Sequence, residues 1–188
     1  MVKPTILLLG GGPDAEREVS LTGQRAAKDA LISAGFSVHA VVIDRPHLAE
    51  LKAMKGDVIF PLLHGPYGEG GPLQDLLETD GRPFVGCRSG AARLAMDKVA
   101  TKGIALAAGV PTAPFAVLNT RDSVCPLAFP VVAKPVHEGS SVGVHICRNQ
   151  LDWEKAIGAI RLDIKEHPTR VYMVEAFIKG REIGRAHV

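Results

Sequence analysis

Thr5 to Leu9 form an unbroken apolar and β-branched run that stops abruptly at Gly10, Gly11, Gly12 and Pro13. Such a run offers no polar face to water, so it reads as a strand buried on both sides, the kind found in parallel sheets covered by helices. The next segments keep to that pattern. Small and apolar residues recur at near-helical spacing through Val19, Leu21, Ala26, Ala27, Ala30 and Leu31 up to Gly35, a plausible helix stop. Valine-rich Phe36 to Ile43 is the next strand, and Val58 to Leu63 a third, with Pro61 ending or bending its ladder. Leu73, Leu76 and Leu77 mark a helix, and Phe84 and Val85 a short strand. Strand, glycine turn and helix in alternation give an α/β fold with an open, mostly parallel, Rossmann-like sheet. Ligands bind such a sheet beyond the carboxyl ends of its strands, where Gly10 to Glu18 and His64 to Gly71 fall.

The pattern changes after Gly109-Val-Pro-Thr-Ala-Pro114, whose two prolines suit a linker behind a helix carrying Ile104, Leu106 and Ala107. Pro130 to Lys134 and Val142 to Ile146 read as strands around the loop Pro135 to Ser141. A helix through Leu151, Trp153, Ala156, Ile157 and Ile160 comes next, and then a strand from Arg170 to Val174. The second half is therefore an α+β lobe.

Partner classes narrow on charge and cysteine usage. The chain has 22 basic against 20 acidic residues and no basic block, so it carries no electrostatic footprint for nucleic acid or a membrane surface. With 46% hydrophobic residues it has material for a real core. Cys87, Cys125 and Cys147 are odd in number and lack C-x-x-C spacing, which argues for reduced thiols rather than a disulfide framework or zinc site. The apolar start is too short for a signal peptide or a span, so a cytoplasmic, small-molecule protein is expected. His39, His47, His137, His145, His167 and His187 show no metal-ligand spacing.

Four glycine-bearing segments are candidate sites. In Gly10 to Ser20 the glycines permit close approach, but position 15 is alanine, so G-x-G-x-x-G fails, and Asp14, Glu16 and Glu18 repel phosphate. Glu16 suits an ammonium; a tight turn with first-turn acids on the helix dipole would look the same. In His64 to Gly71 a strand-end histidine precedes four glycines, with Glu69 able to orient His64 or a substrate; a plain surface turn is the alternative. The third joins Lys134-Pro135 to Glu138-Gly-Ser-Ser-Val-Gly143. A cation at the end of a buried strand next to a donor-rich loop is a phosphate-binding arrangement, against an exposed β-turn with a snorkelling lysine. In the fourth, Glu175 and Glu182 bracket a turn and can accept from a base amine and ribose hydroxyls, or lie as solvated acids.

Taken in order, these segments resemble the D-alanine–D-alanine ligase family of ATP-grasp enzymes, over residues 5 to about 183. The resemblance is carried by Gly11 to Leu21, His64 to Glu69, Met96-Asp-Lys98, Lys134 to Gly143 and Glu175 to Glu182. It implies a substrate-binding pre-ATP-grasp domain over 1–97 and the N-terminal lobe of an ATP-grasp domain over 98–188. It also implies that Glu16 holds the ammonium of the first D-alanine, with His64 and Glu69 near that substrate. Lys98 and Lys134 would contact ATP phosphates, with Glu138 and Ser141 in the same nucleotide site, while Ser140 orients the D-alanine and closes the loop. Glu175 and Glu182 would bind adenine and ribose, and the backbone of Ala176, Phe177 and Ile178 the adenine edge.

The implied reaction is phosphorylation of one D-alanine carboxylate by ATP, then attack by the amine of another to give a dipeptide for peptidoglycan. Phosphoryl transfer depends on positioning and charge neutralisation, which lysines and a donor-rich loop supply. The family implies a homodimer in the full-length proteins. Two departures stand out. Gly70 occupies the place of the family's usual aspartate, removing a charge and loosening the backbone. The sequence also stops at Val188, before the second lobe that in the family holds the magnesium ligands, a phosphoryl-stabilising arginine and a lid. A truncated form without ligase activity of its own is therefore expected. Alternatives are a non-catalytic nucleotide- or amino-acid-binding fragment and another ATP-grasp carboxylate–amine ligase.

Overall fold

The structure, a computed structural model, describes residues 3–121, 123–139 and 141–181. Contacts divide the chain into two units, Met1–Thr101 and Lys102–Val188.

The first unit is built on β1 (Thr5–Gly11), which lies between β2 (Ser37–Ile43) and β3 (Val58–Pro61) in a three-stranded parallel sheet. Leu7, Leu8 and Leu9 are fully buried, as a central strand covered on both faces requires. The sheet ladder ends at Pro61, which has no N–H to give, and the next amide, Leu62, donates to Leu9 O at 2.9 Å. Helix α1 (Arg17–Ser33) stops at Gly35, whose φ of 80° lets its own amide reach Ile32 O and the Phe36 amide reach Leu31 O. The inner face of α1 differs from the apolar stripe read in its sequence. Ser20 and Gln24 are its buried residues, while Val19 is 56% exposed. Gln24 Nε2 donates to Leu8 O and Val41 O, both at 2.9 Å, and lies so close that a Cβ on Gly10 would sit 2.7 Å from it.

Helices α2 (Leu48–Ala53), α3 (Gly65–Glu69), α4 (Pro72–Asp80) and α5 (Ser89–Met96) complete the unit. Leu51, Leu73 and Leu77 carry α2 and α4 into the core with Leu7, Leu9, Ile43, Ile59 and Leu63. Two sequence expectations need correction. The stretch after His64 is not an open loop but the short helix α3, entered through Pro66, which fits a first helical turn. Phe84 and Val85 make only a single parallel bridge to Ile59 instead of a strand, since Pro83 lacks an amide and Gly86, at φ 129°, turns the chain away.

Helix α6 (Lys98–Ala107) crosses the division between the units, which falls between Thr101 and Lys102. Its first turn is tied backward, the Asp97 carboxylate accepting from the Ala100 amide at 2.9 Å and the Thr101 hydroxyl donating to Leu94 O at 2.7 Å.

The second unit is an antiparallel sheet in the order β4 (Phe115–Val117), β7 (Tyr172–Ala176), β5 (Val131–Pro135), β6 (His145–Cys147), with α7 (Gln150–Glu166) on one face. Alternation along the strands sorts the two faces. Val131, Ala133, Cys147, Tyr172 and Val174 face α7 and pack on Trp153, Ala156, Ile157 and Ile160. By register, Phe115, Val132, Lys134, Ile146, Met173 and Glu175 share the opposite face. β6 starts at His145 and not at Val142, because Ser141 and Gly143 take positive φ, 63° and 66°, which strand pairing does not admit. β7 runs from Tyr172 to Ala176 and not from Arg170 to Val174, because Glu175 pairs with both Phe115 and Val132. Asn149 caps α7, its side chain accepting from the Asp152 amide at 3.0 Å.

Candidate functional site

In the first unit the glycine run after β1 is closed to anions by its own hydrogen bonds. The Gly11 amide donates to Ser20 Oγ at 2.9 Å and the Gly12 amide to Ile43 O at 2.7 Å. Arg17 donates to Gly12 O at 2.7 Å and pairs with Asp44. Glu16 stands at the start of α1, half-buried, its carbonyl accepting from the Ser20 amide at 3.0 Å. Asp14, for which the sequence suggested no partner, joins this turn to α3, its carboxylate accepting from the Tyr67 amide at 2.8 Å. A Cβ on Gly65 would lie 2.7 Å from Asp14, so glycine is what lets the two turns meet.

Glu69 folds back over the start of α3. Its Oε2 accepts from the Gly65 amide at 3.0 Å, and its Oε1 lies 3.2 Å from His64 Nδ1. His64 and Glu69 are thus brought together as a hydrogen-bonded pair. Gly70 does not loosen this turn: a Cβ there would lie 2.4 Å from Pro66 O, while its amide donates to that oxygen at 3.1 Å. Arg45 stacks over the Tyr67 ring at 5.5 Å. Burial pushes the Tyr67 hydroxyl pKa up, Arg45 opposing and Asp14 adding to the shift.

In the second unit the centre is Glu175, 15% exposed on the sheet face opposite α7. Lys134 pairs with its Oε1, and Lys102 Nζ lies 2.8 Å from its Oε2. Burial works against the carboxylate, but the hydrogen bonds from Lys102 and Lys134 outweigh it and hold the Glu175 pKa below the ordinary range. The two lysines differ. Lys102 is 11% exposed and fully engaged, donating also to Thr112 Oγ1 at 2.7 Å and Ala113 O at 3.1 Å, with the Phe115 ring 5.1 Å away. Lys134 is 22% exposed and, among the described residues, gives one of its three N–H groups to Glu175. Lys102 went unread in the sequence; its signal was its place one helical turn beyond Lys98, on one face of α6.

The other candidates take varied places. Lys98 opens α6 and is half-buried. Glu138 is held by Arg170 at 2.8 Å. Ser141 lies in the turn before β6, its carbonyl accepting from the Val144 amide at 3.3 Å. The hinge amides are partly engaged within the lobe: Ala176 donates to Pro114 O at 2.9 Å and Phe177 to Pro130 O at 3.0 Å. Of those three residues, Ile178 is the one whose amide has no such bond among the described residues, and its side chain is 71% exposed. Ser140 and Glu182 lie outside the described residues. Among the described residues no group of three or more His, Cys, Asp or Glu side chains is placed to hold a metal ion. Nor is any described helix long and apolar enough to cross a membrane.

A parallel-sheet unit followed by an antiparallel lobe with a lysine and a glutamate near its strand ends is the architecture of ATP-grasp ligases. Solved structures agree: a D-alanine–D-alanine ligase from Bacillus anthracis matches with a TM-score of 0.79 and 27% identity over 95% of this chain and 59% of that one. The fold of the enzyme from Helicobacter pylori matches at 0.77, with 24% identity over 95% and 65% of the two chains. The family model for the D-Ala–D-Ala ligase N-terminus matches residues 46–87, and that for the C-terminus residues 104–187. A D-alanine–D-alanine ligase of Moorella thermoacetica is 37% identical over 96% of this chain and 60% of its own length; one of Geobacter sulfurreducens is 41% identical over 94% and 55%. The chain belongs to the D-alanine–D-alanine ligase family, and it spans 55% to 60% of the length of these two relatives.

Proposed function

We propose that this chain carries the amino-acid-binding domain and the first nucleotide-binding lobe of an ATP-dependent ligase that joins two D-alanines through an acyl phosphate. The observation that carries the reading is the Glu175 carboxylate held between Lys102 and Lys134 at the end of β7. A carboxylate fixed on both oxygens keeps lone pairs for the exocyclic amine of adenine, with Ile178 offering a backbone donor beside it. Lys134, which among the described residues gives one N–H to Glu175, and Lys98 would contact the phosphates, with Glu138 and Ser141 in the same nucleotide site; Ser140 would orient the first D-alanine, and Glu182 would take the ribose.

In the first unit, Glu16 would hold the substrate ammonium and His64, oriented by Glu69, its carboxylate. Two observations support that division. The acids of the first turn repel phosphate, and the glycine amides that would attract it are already bonded at Ser20 and Ile43. Magnesium, in this family reading, would supply charge neutralisation at the ATP phosphates, with its ligands expected in the family's second lobe.

The family also supports a homodimer, which light scattering of the purified chain tests, and a cytoplasmic setting, with which the free thiols of Cys87, Cys125 and Cys147 accord. Calorimetric titration with ATP and with D-alanine tests the whole reading. ATP binding lost in Lys134→Ala and D-alanine binding lost in Glu16→Gln are expected. ATP binding that survives Lys134→Ala and Glu175→Ala would remove its basis.

A further inference from the structure

The loop between β5 and β6, segments 136–139 and 141–144, supplies the phosphate donors in the proposed function, yet nothing in that function explains what shapes it. Both of its ends lead to one carboxylate, Asp163, on α7. At the entrance, Glu138 Oε1 accepts from Arg170 at 2.8 Å, and the other arm of the same guanidinium donates to Asp163 Oδ1 at 2.6 Å. At the exit, Gly143 is seated on the Tyr172 hydroxyl: a Cβ there would lie 2.9 Å from that oxygen and 2.9 Å from Pro135 Cγ. That hydroxyl donates to Asp163 Oδ2 at 2.8 Å. The two oxygens of Asp163 therefore serve the two ends of the loop separately. His167 Nδ1 also faces Oδ1, at 3.3 Å.

The network is sheltered. Arg170 is 17% exposed and Asp163 25%. Burial opposes the Arg170 charge, but the carboxylates of Glu138 and Asp163 outweigh it and raise its pKa. Burial, reinforced by the hydrogen bond to Asp163, pushes the Tyr172 hydroxyl up to about 12, so it remains a donor across the physiological range.

We propose that Asp163 is a positioning residue for the nucleotide-phosphate loop, acting through Arg170 at the loop's entrance and Tyr172 at its exit. It touches no substrate. It fixes the loop's shape before the ligand arrives, so the ordering cost of the loop falls on folding rather than on binding. The nucleotide part rests on the proposed function; the loop-fixing part does not.

Two measurements on the full chain separate them. The first is amide hydrogen exchange in the ligand-free protein, comparing wild type with Asp163→Asn, which keeps the shape but loses the charge. Arg170→Gln cuts the entrance arm alone and serves if the first variant does not fold. Residues 137–139 and 141–144 are expected to exchange at least about ten-fold faster while β5 and β7 hold their rates. Unchanged loop rates in the folded variants overturn the proposal, and so does an equal acceleration across the whole lobe, which a merely structural role would give.

The second measurement titrates ATP and adenosine. Ordering even one loop residue corresponds to roughly ten-fold in affinity, so ATP is expected to weaken by about that factor or more while adenosine stays within about two-fold. Equal weakening of both ligands overturns the proposal. If the wild type binds neither, the nucleotide reading fails, and the exchange result still decides the role of Asp163.

Discussion

Replacing Lys102 by methionine keeps most of the side-chain volume and removes the charge, so it isolates what that buried ammonium contributes. The charged hydrogen bond to Glu175 contributes about 1.5–3 kcal/mol, and leaving the Ala113 carbonyl and Thr112 hydroxyl without this donor costs about 1–3 kcal/mol more. The cation over Phe115 adds about 0.5–1 kcal/mol. Against this, the variant no longer has to strip water from a lysine, and Glu175 keeps Lys134. The net therefore falls below the about 3–5 kcal/mol of a fully broken buried pair, near 2–3 kcal/mol. For a domain of this size that is a fall of roughly 8–24 °C in melting temperature. Trp153 is the chain's single tryptophan and is fully buried in the second unit, so its fluorescence follows that unit through thermal or urea unfolding. Lys134→Met, at a more exposed lysine with one such bond, is expected to cost about 1 kcal/mol. Equal losses in the two variants, or the reverse order, would refute the distinction between a fully engaged Lys102 and a partly engaged Lys134.

Acidification is expected to destabilise the second unit in a way that Lys102→Met and Glu175→Gln both blunt. The folded Glu175 pKa is depressed, so its stabilisation is complete above the ordinary carboxylate range and is lost as pH falls through the folded value, read by Trp153 fluorescence. At the alkaline end Tyr172 behaves oppositely: its stabilisation, about 3 kcal/mol, is whole below its unfolded pKa and is lost as pH rises toward about 12, and Tyr172→Phe removes that slope. Gly56→Ala is expected to destabilise the first unit by about 2 kcal/mol or more, because the new Cβ would meet Leu7 N at 2.8 Å with φ at 153°; urea unfolding followed by circular dichroism checks it. Gly70→Asp, which restores the family's usual residue, is expected to lower D-alanine affinity in calorimetric titration instead of improving it, since its Cβ would strike Pro66 O and shift the His64–Glu69 pair.

What the sequence revealed and what it hid divide along physical lines. β1 was legible because four consecutive apolar residues, Ile6 to Leu9, ending in glycine leave a chain few choices. Lys134 was legible as a residue needing a partner, because an ammonium in an apolar strand must find one. The partner itself, Glu175, lies 41 residues further on, and only strand register brings the two to one face. The inner face of α1 stayed hidden for another reason. Hydrophobic periodicity finds helices that pack by side chain, whereas Ser20 and Gln24 hold this helix by hydrogen bonds to the backbone of β1 and β2. Helix α3 was disguised by its proline and glycines, which are loop residues by propensity and helical here because the Asp14 and Glu69 carboxylates engage its first amides.

The two glycine-rich turns that look alike in sequence are therefore opposites in chemistry. An anion site needs donors that remain available after folding. Behind β1 the Gly11 and Gly12 amides are bonded internally, and the turn is lined by Asp14, Glu16 and Glu18, so it can attract a cation and not a phosphate. Beside β5 the charges are paired, for Arg170 is shared by Glu138 and Asp163 and Glu175 by two lysines, and among the described residues Lys134 gives one of its N–H groups to Glu175. Under the proposed function, a substrate carrying an ammonium would be held in the first unit and the phosphates of a co-substrate by the donors of Lys134 in the second. Raising ionic strength should accordingly weaken ATP binding through Lys134 more than it weakens the engagement of Lys102 with Glu175, because the first is partly open to solvent and the second is more deeply covered.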